Sequence, residues 1–155
     1  MTRALLLSIK PQYARAILEG RKTIEVRRRF PNIDPGTTVV LYSSSPEKAV
    51  LGTVRLRRTI KISPGCVWAL HGSDIGIDES DLNAYLAGAD ESTLLEVDCP
   101  ESWEQPVSLN SLRAVLGIEP SQSFRYLATE QVEQAKQLSF QVPELRPVDV
   151  RTAKR

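Results

Sequence analysis

Residues 49–62, AVLGTVRLRRTIKI, constrain the fold more than any other stretch of the chain. Val54, Leu56, Ile60 and Ile62 fall on one side of an extended chain, and Arg55, Arg57, Thr59 and Lys61 on the other. A period of two is the mark of a strand lying in a sheet with one apolar face. Arg58 falls among the apolar positions. Gly52, near the start, marks the bulge or bend that a curved sheet needs.

The flanking segments supply partners for this strand. Leu5 to Lys10 is a short apolar run that reads as a buried strand. Pro11 opens a two-turn helix with Ala14, Ile17 and Leu18 on one face and Gly20 as its stop. Thr23 to Arg29 alternates, with Ile24 and Val26 to one side and Thr23, Glu25, Arg27 and Arg29 to the other. TTVVLYSS is β-prone, with Val40 inward, and STLLEVDC and WEQPVSL read as two further strands. PGCVWALHG reads as a short helix. DESDLNAYLAG is a better one, N-capped by Asp78, with Leu82, Tyr85 and Leu86 inward. SLNSLRAVLG is a short helix ended by Gly117, PSQSFRYLA a turn leading into a last strand, and TEQVEQAKQL a closing amphipathic helix. Short strands interleaved with short helices predict an α+β domain over residues 1–140, built on a small curved sheet or barrel. Residues 141–155, Pro-containing and basic, predict a disordered tail.

Composition excludes several classes. At 41% hydrophobic and 25% charged, 155 residues suit one soluble domain with its own core. No apolar run approaches the ~20 residues that span a bilayer, and ALLLSI is too short for a signal peptide. Cys66 and Cys99 stand in no metal spacing and predict reduced, buried thiols in a cytoplasmic protein. With His71 as the single histidine, no metal or other cofactor is called for. Charge is unevenly spread. Residues 1–30 hold eight Lys and Arg against two acids, 48–61 five against none, and 71–105 ten acids and no Lys or Arg. Either the basic segments converge on one face suited to an anionic ligand, or basic and acidic segments neutralise each other.

GRKTIEVRRRF, residues 20–30, sets Glu25 among five cations. A plain phosphate rail gains nothing from a carboxylate. One at this place can hold the Arg27 guanidinium in a fixed fork, accept from the exocyclic amine of a base, or act with Lys22 in proton transfer. Glu25 therefore argues for a pocket with orientation.

The order of parts resembles the ASCH family of the PUA-like superfamily over residues 4–128. Gly20-x-Lys22-x-x-Glu25-x-Arg27 is the most specific match and PSQSFRY, with Ser121 in place of a second proline, the next. The resemblance implies a small PUA-like β-barrel with short flanking helices and a cleft beside the first helix. Its ligand would be RNA or a nucleoside or nucleotide. Candidate ligand-binding residues are Lys22, Thr23, Glu25, Arg27, Ser44, Gln122, Ser123 and Tyr126, with Trp68 a further ring able to stack on a base. Each has a structural alternative: a solvated strand face, a serine-rich turn, a cap, or core packing for the two aromatics.

Two functions are implied besides an interaction scaffold, which no motif supports. The first is RNA or nucleotide binding. The second is a small hydrolase in which Lys22, Glu25 and Ser123 carry the chemistry, as a ribonuclease or as an amidohydrolase of N4-acylated cytidine. For the amidohydrolase, the family's catalytic Thr falls at Glu25 and its Glu falls in Ser73–Gly76, where Asp74 is the one acid.

Overall fold

The computed structural model describes residues 3–141. Its strands are β1 (Arg3–Ile9), β2 (Ile24–Arg27), β3 (Thr38–Ser43), β4 (Ala49–Ile62), β5 (Ser92–Ser108) and β6 (Phe124–Ala128). They form one sheet in the order β2-β5-β4-β3-β1-β6. β1 and β3 run parallel, and the other described neighbours antiparallel. Helices α1 (Pro11–Leu18), α2 (Val67–His71), α3 (Glu79–Leu86) and α4 (Leu109–Ser111) lie in the connections, and α5 (Thr129–Ser139) follows β6. The architecture is α+β. The sequence-predicted tail lies outside the described residues apart from Gln141.

The sheet is layered on both sides. Leu5, Leu7 and Ile9 of β1 pack with Val39 and Leu41 of β3 against Ala14 and Ile17 of α1. Ala4 and Leu6 pack with Val40 and Tyr42 on the opposite face, against Val132 and Ala135 of α5. Burial on both faces is why β1 reads as a continuous apolar run rather than an alternation. A third cluster joins Ile24, Val26 and Leu94 to Val67 of α2 and Leu82 and Leu86 of α3, which docks the acidic helix beside β2. Tyr85 departs from its expected inward place and is 40% exposed.

β4 spans the predicted residues, and its register on β5 shifts between Val50 and Gly52, Thr53 and Arg55, and Leu56 and Arg58. Gly52 sits where the backbones cross closely, since a Cβ there would lie 2.2 Å from the Glu101 carbonyl oxygen. The two strands predicted within 92–108 are one. Cys99, at φ 53°, kinks it, and Pro100 and Pro106 fall beyond the stretch that pairs with β2.

A closed barrel is not what the ladder forms among the described residues: it ends on β2 at one side and β6 at the other. Its curl still brings the two ends near each other, because Arg27 of β2 donates to the Ser8 carbonyl of β1, the neighbour of β6. The charge pattern also resolves. Arg55 forks onto Asp98 at 3.0 and 3.1 Å, Arg57 lies 3.8 Å from Asp98, and Arg58 donates to Glu96 at 2.6 Å. Arg55, Arg57 and Arg58 are thus paired with two carboxylates of β5, the antiparallel neighbour of β4, whereas Lys61 donates to the Phe30 carbonyl and to Thr93 Oγ1. Cys66 and Cys99 are free but exposed, contrary to the buried pair expected, because one ends a 3-10 turn and the other sits on the kink of β5.

Candidate functional site

The segment joining α1 to β2 is pinned before it delivers any side chain. Gly20, at φ 82°, turns the chain out of α1, and the amides of Arg21 and Lys22 both donate to the Ala16 carbonyl. The amides of Thr23 and Ile24 donate to the Asp74 carbonyl, and Thr23 accepts from Val97. Lys22 is thereby aimed inward and is only 2% exposed. Gly76 makes room for it. Its φ of +63° suits glycine, and a Cβ there would lie 2.8 Å from the Lys22 Cβ.

Three charges meet on the cleft floor. Lys22 Nζ donates to the Ile75 carbonyl and stands 3.2 Å from Glu25 Oε1. Glu25 Oε2 accepts from Arg27 Nε at 2.9 Å. Arg27 Nη2 donates to the Ser8 carbonyl at 2.8 Å, and Nη1 makes a longer 3.4 Å contact to Ser123 Oγ. Ser8 in turn donates through Oγ to the Ser121 carbonyl at 2.6 Å. Burial lowers the Lys22 ammonium from its ordinary value, Glu25 opposes that fall, and Arg27 adds to it. The Tyr13 ring lies 5.0 Å from Lys22 Nζ. Its phenol is pushed up, first by burial and then by Asp81, Glu25 and Asp78.

This floor lies in a cleft of about 690 Å³. One wall is the end of β1 with Ser8, Ile9 and Lys10, joined by Ser44 and Gln122; the other is Ile77 with Asp81, Ala84 and Tyr85 of α3, and Tyr13 and Gln12 of α1 complete the lining. Lys22, Glu25, Arg27, Ser44 and Gln122, all named from sequence, come together there. Ser123 stands behind Arg27 rather than in the lining. Thr23 is exposed outside the cleft with its backbone committed to Asp74 and Val97. Tyr126 lies under the Arg3 guanidinium at 3.6 Å and edge-on to Phe124. Trp68 is also outside, against Gly72. Sequence reasoning missed Lys10, Tyr13 and Asp81 as liners. Tyr13 carried no separate signal, since it stands four residues before Ile17 on the apolar side of α1 and packs against the core as well as lining the cleft. Among the described residues no group of His, Cys, Asp or Glu is disposed to hold a metal, and no helix is long and apolar enough to cross a membrane.

The ASCH domain family model matches residues 7–134. A curated ASCH domain-containing ribonuclease of Zymomonas mobilis is 28% identical over 140 residues, which are 88% of this chain and 93% of that protein. The crystal structure of ASCH from Zymomonas mobilis superposes with a TM-score of 0.80 at 25% identity, over 88% of this chain and 94% of that one. Human THYN1 protein, solved in complex with 5-methylcytosine containing DNA, shares the fold at a TM-score of 0.59 and 11% identity, covering 92% of this chain and 100% of that chain.

Proposed function

The chain belongs to the ASCH domain family, and on that premise we propose that it binds single-stranded RNA by taking a nucleotide into the cleft floored by Lys22, Glu25 and Arg27. The observation that carries this reading is the floor itself. A guanidinium fixed by Glu25 and Ser8 is a preorganised donor for a phosphate or a base edge. The cleft volume falls in the range of small-ligand sites, and Tyr13 and Tyr85 offer rings to a base. Lys10, Lys22 and Arg27 exceed Glu25 and Asp81 by one charge, which suits the single phosphate of one nucleotide of the strand. The reading takes residues 1–140 as the ASCH/PUA-like domain, with the curled sheet as an incompletely closed barrel, and 141–155 as its tail.

Ribonuclease activity is the second reading, favoured by the curated relative that matches nearly end to end. In it Lys22, whose lowered pKa brings proton transfer nearer neutrality, would act with Glu25 and Ser123 on a phosphodiester. The amidohydrolase alternative has less support, because Asp74 is exposed and does not line the cleft.

The test is titration of fluorescent single-stranded RNA against wild type, Arg27→Ala and Glu25→Gln, with product run on a gel. Arg27→Ala should weaken binding about tenfold or more. Equal affinity in wild type and Arg27→Ala would leave the cleft without this role. Glu25→Gln separates the readings. A binder loses ~1–2 kcal/mol of affinity. An enzyme keeps its affinity while cleavage falls about 10²–10⁴-fold.

A further inference from the structure

The two walls of the cleft differ in a way that fixes which end of a nucleotide each can take. Lys10 and Ser44 stand beside each other, since the Ser44 amide donates to the Ile9 carbonyl, and no described residue pairs with the Lys10 ammonium. Gln122 adjoins Ser123, which contacts Arg27. This wall is cationic and rich in hydroxyl and amide groups. The opposite wall combines Ile77, Ala84 and Tyr85 with the Asp81 carboxylate. The first turn of α3 adds Glu79 to it, with Asp78 at the cap. A phosphodiester backbone is repelled there, whereas a flat base with a donor edge is not.

Asp81 is the one carboxylate of that wall, and so its one acceptor that cannot also donate. Its backbone amide is taken by the Asp78 N-cap at 2.9 Å, but no described residue pairs with its carboxylate. It lies near Tyr13, whose phenol it pushes up, so carboxylate and ring address the same space. An ionised carboxylate accepts and never donates. It therefore favours an exocyclic amine and disfavours a carbonyl at the same position.

We infer that the nucleotide enters with its phosphate toward Lys10 and Ser44 and its base against α3, where Asp81 selects bases bearing an exocyclic amine over their oxo or unsubstituted counterparts. Asp81 is thus a specificity-determining residue. The inference rests on the nucleotide-binding reading above and adds to it the class of base.

Matched pairs of nucleotides test it. Cytidine and uridine monophosphates differ at one amine or oxo position and its neighbouring ring nitrogen, and guanosine and inosine monophosphates by one amine. Titrated by calorimetry into the full chain, the amine-bearing member of each pair should bind roughly five- to tenfold tighter. Asp81→Asn, which presents a donor as well as an acceptor, should erase or reverse the cytidine preference, and Asp81→Ala should level both pairs. Asp90→Asn removes a charge of the acidic segment that does not line the cleft, and should leave both ratios unchanged. Equal binding within both pairs by the wild type, ratios unmoved in both Asp81 variants, or an equal shift in Asp90→Asn would each overturn the inference. If RNA binds in an Arg27-dependent way while the ratios are flat, the base assignment alone fails. If neither nucleotides nor RNA bind, the functional reading fails and takes this one with it.

Discussion

Each oxygen of the Glu25 carboxylate has its own cation, Lys22 on Oε1 and Arg27 on Oε2. That is the physical answer to an acid placed among five bases: it is the counter-ion that lets Lys22 be buried at all. The arrangement predicts a pH signature. Burial lowers the Lys22 pKa in the folded chain below the 10.5 of an ordinary lysine, so the unfolded chain holds that proton more tightly. The cost of burying the charge is fully present below the folded pKa. It is relieved as pH climbs from that lowered value through 10.5. Tyr13 works the other way, since its raised pKa favours the folded state less as pH passes 10.0. Lys22→Met keeps Tyr13 and removes the lysine. Urea midpoints should therefore show the wild type gaining on Lys22→Met as pH rises through this window. A constant gap would mean that Lys22 is not held against its protonated form. The motif itself was legible in the sequence, since spacing alone put Glu25 beside Arg27. The Ile75 carbonyl and Gly76 were not, because a residue 53 positions away enters only through the docking of α3 beside β2.

At the scale of elements, strands read more surely than charges. An apolar start followed by alternation from Val54 marks out β4, and the Asp78 cap and the Gly117 stop, at φ 65°, stand where residue chemistry put them. Alternation says nothing of which strand lies next door, so the pairing of Arg55 and Arg58 with Asp98 and Glu96 was hidden until β5 was seen beside β4. The Gly52 bend gives a sharp test. Gly52→Ala drives a Cβ to 2.2 Å from backbone, which no rotamer relieves. It should cost about 3 kcal/mol or more in urea unfolding. Asp78→Ala, which removes only the cap on Asp81, should cost about 1 kcal/mol. Similar losses in the two variants would show that β4 and β5 can slide past the bulge.

Over the whole molecule, the proposed RNA binding sorts the cations by whether β5 already pairs them. Arg55 and Arg58 already face carboxylates on the same sheet, whereas Lys10 has no described partner. Lys10→Ala should flatten the dependence of log Kd on log salt by about one unit of slope. Arg55→Ala and Arg58→Ala should leave it unchanged, as a salt titration of RNA binding would read. Loss of slope in the arginine variants would mean that RNA displaces their acids. The contact between Arg27 and Ser123 has a consequence for biosynthesis. The two residues are 96 positions apart, and the Ser8 amide also donates to the Ser123 carbonyl. A nascent chain that has made α1, β2 and α3 holds most of the cleft yet lacks Gln122 and Ser123, which come just before β6. The cleft is therefore completed late in synthesis, once the chain has passed residue 123.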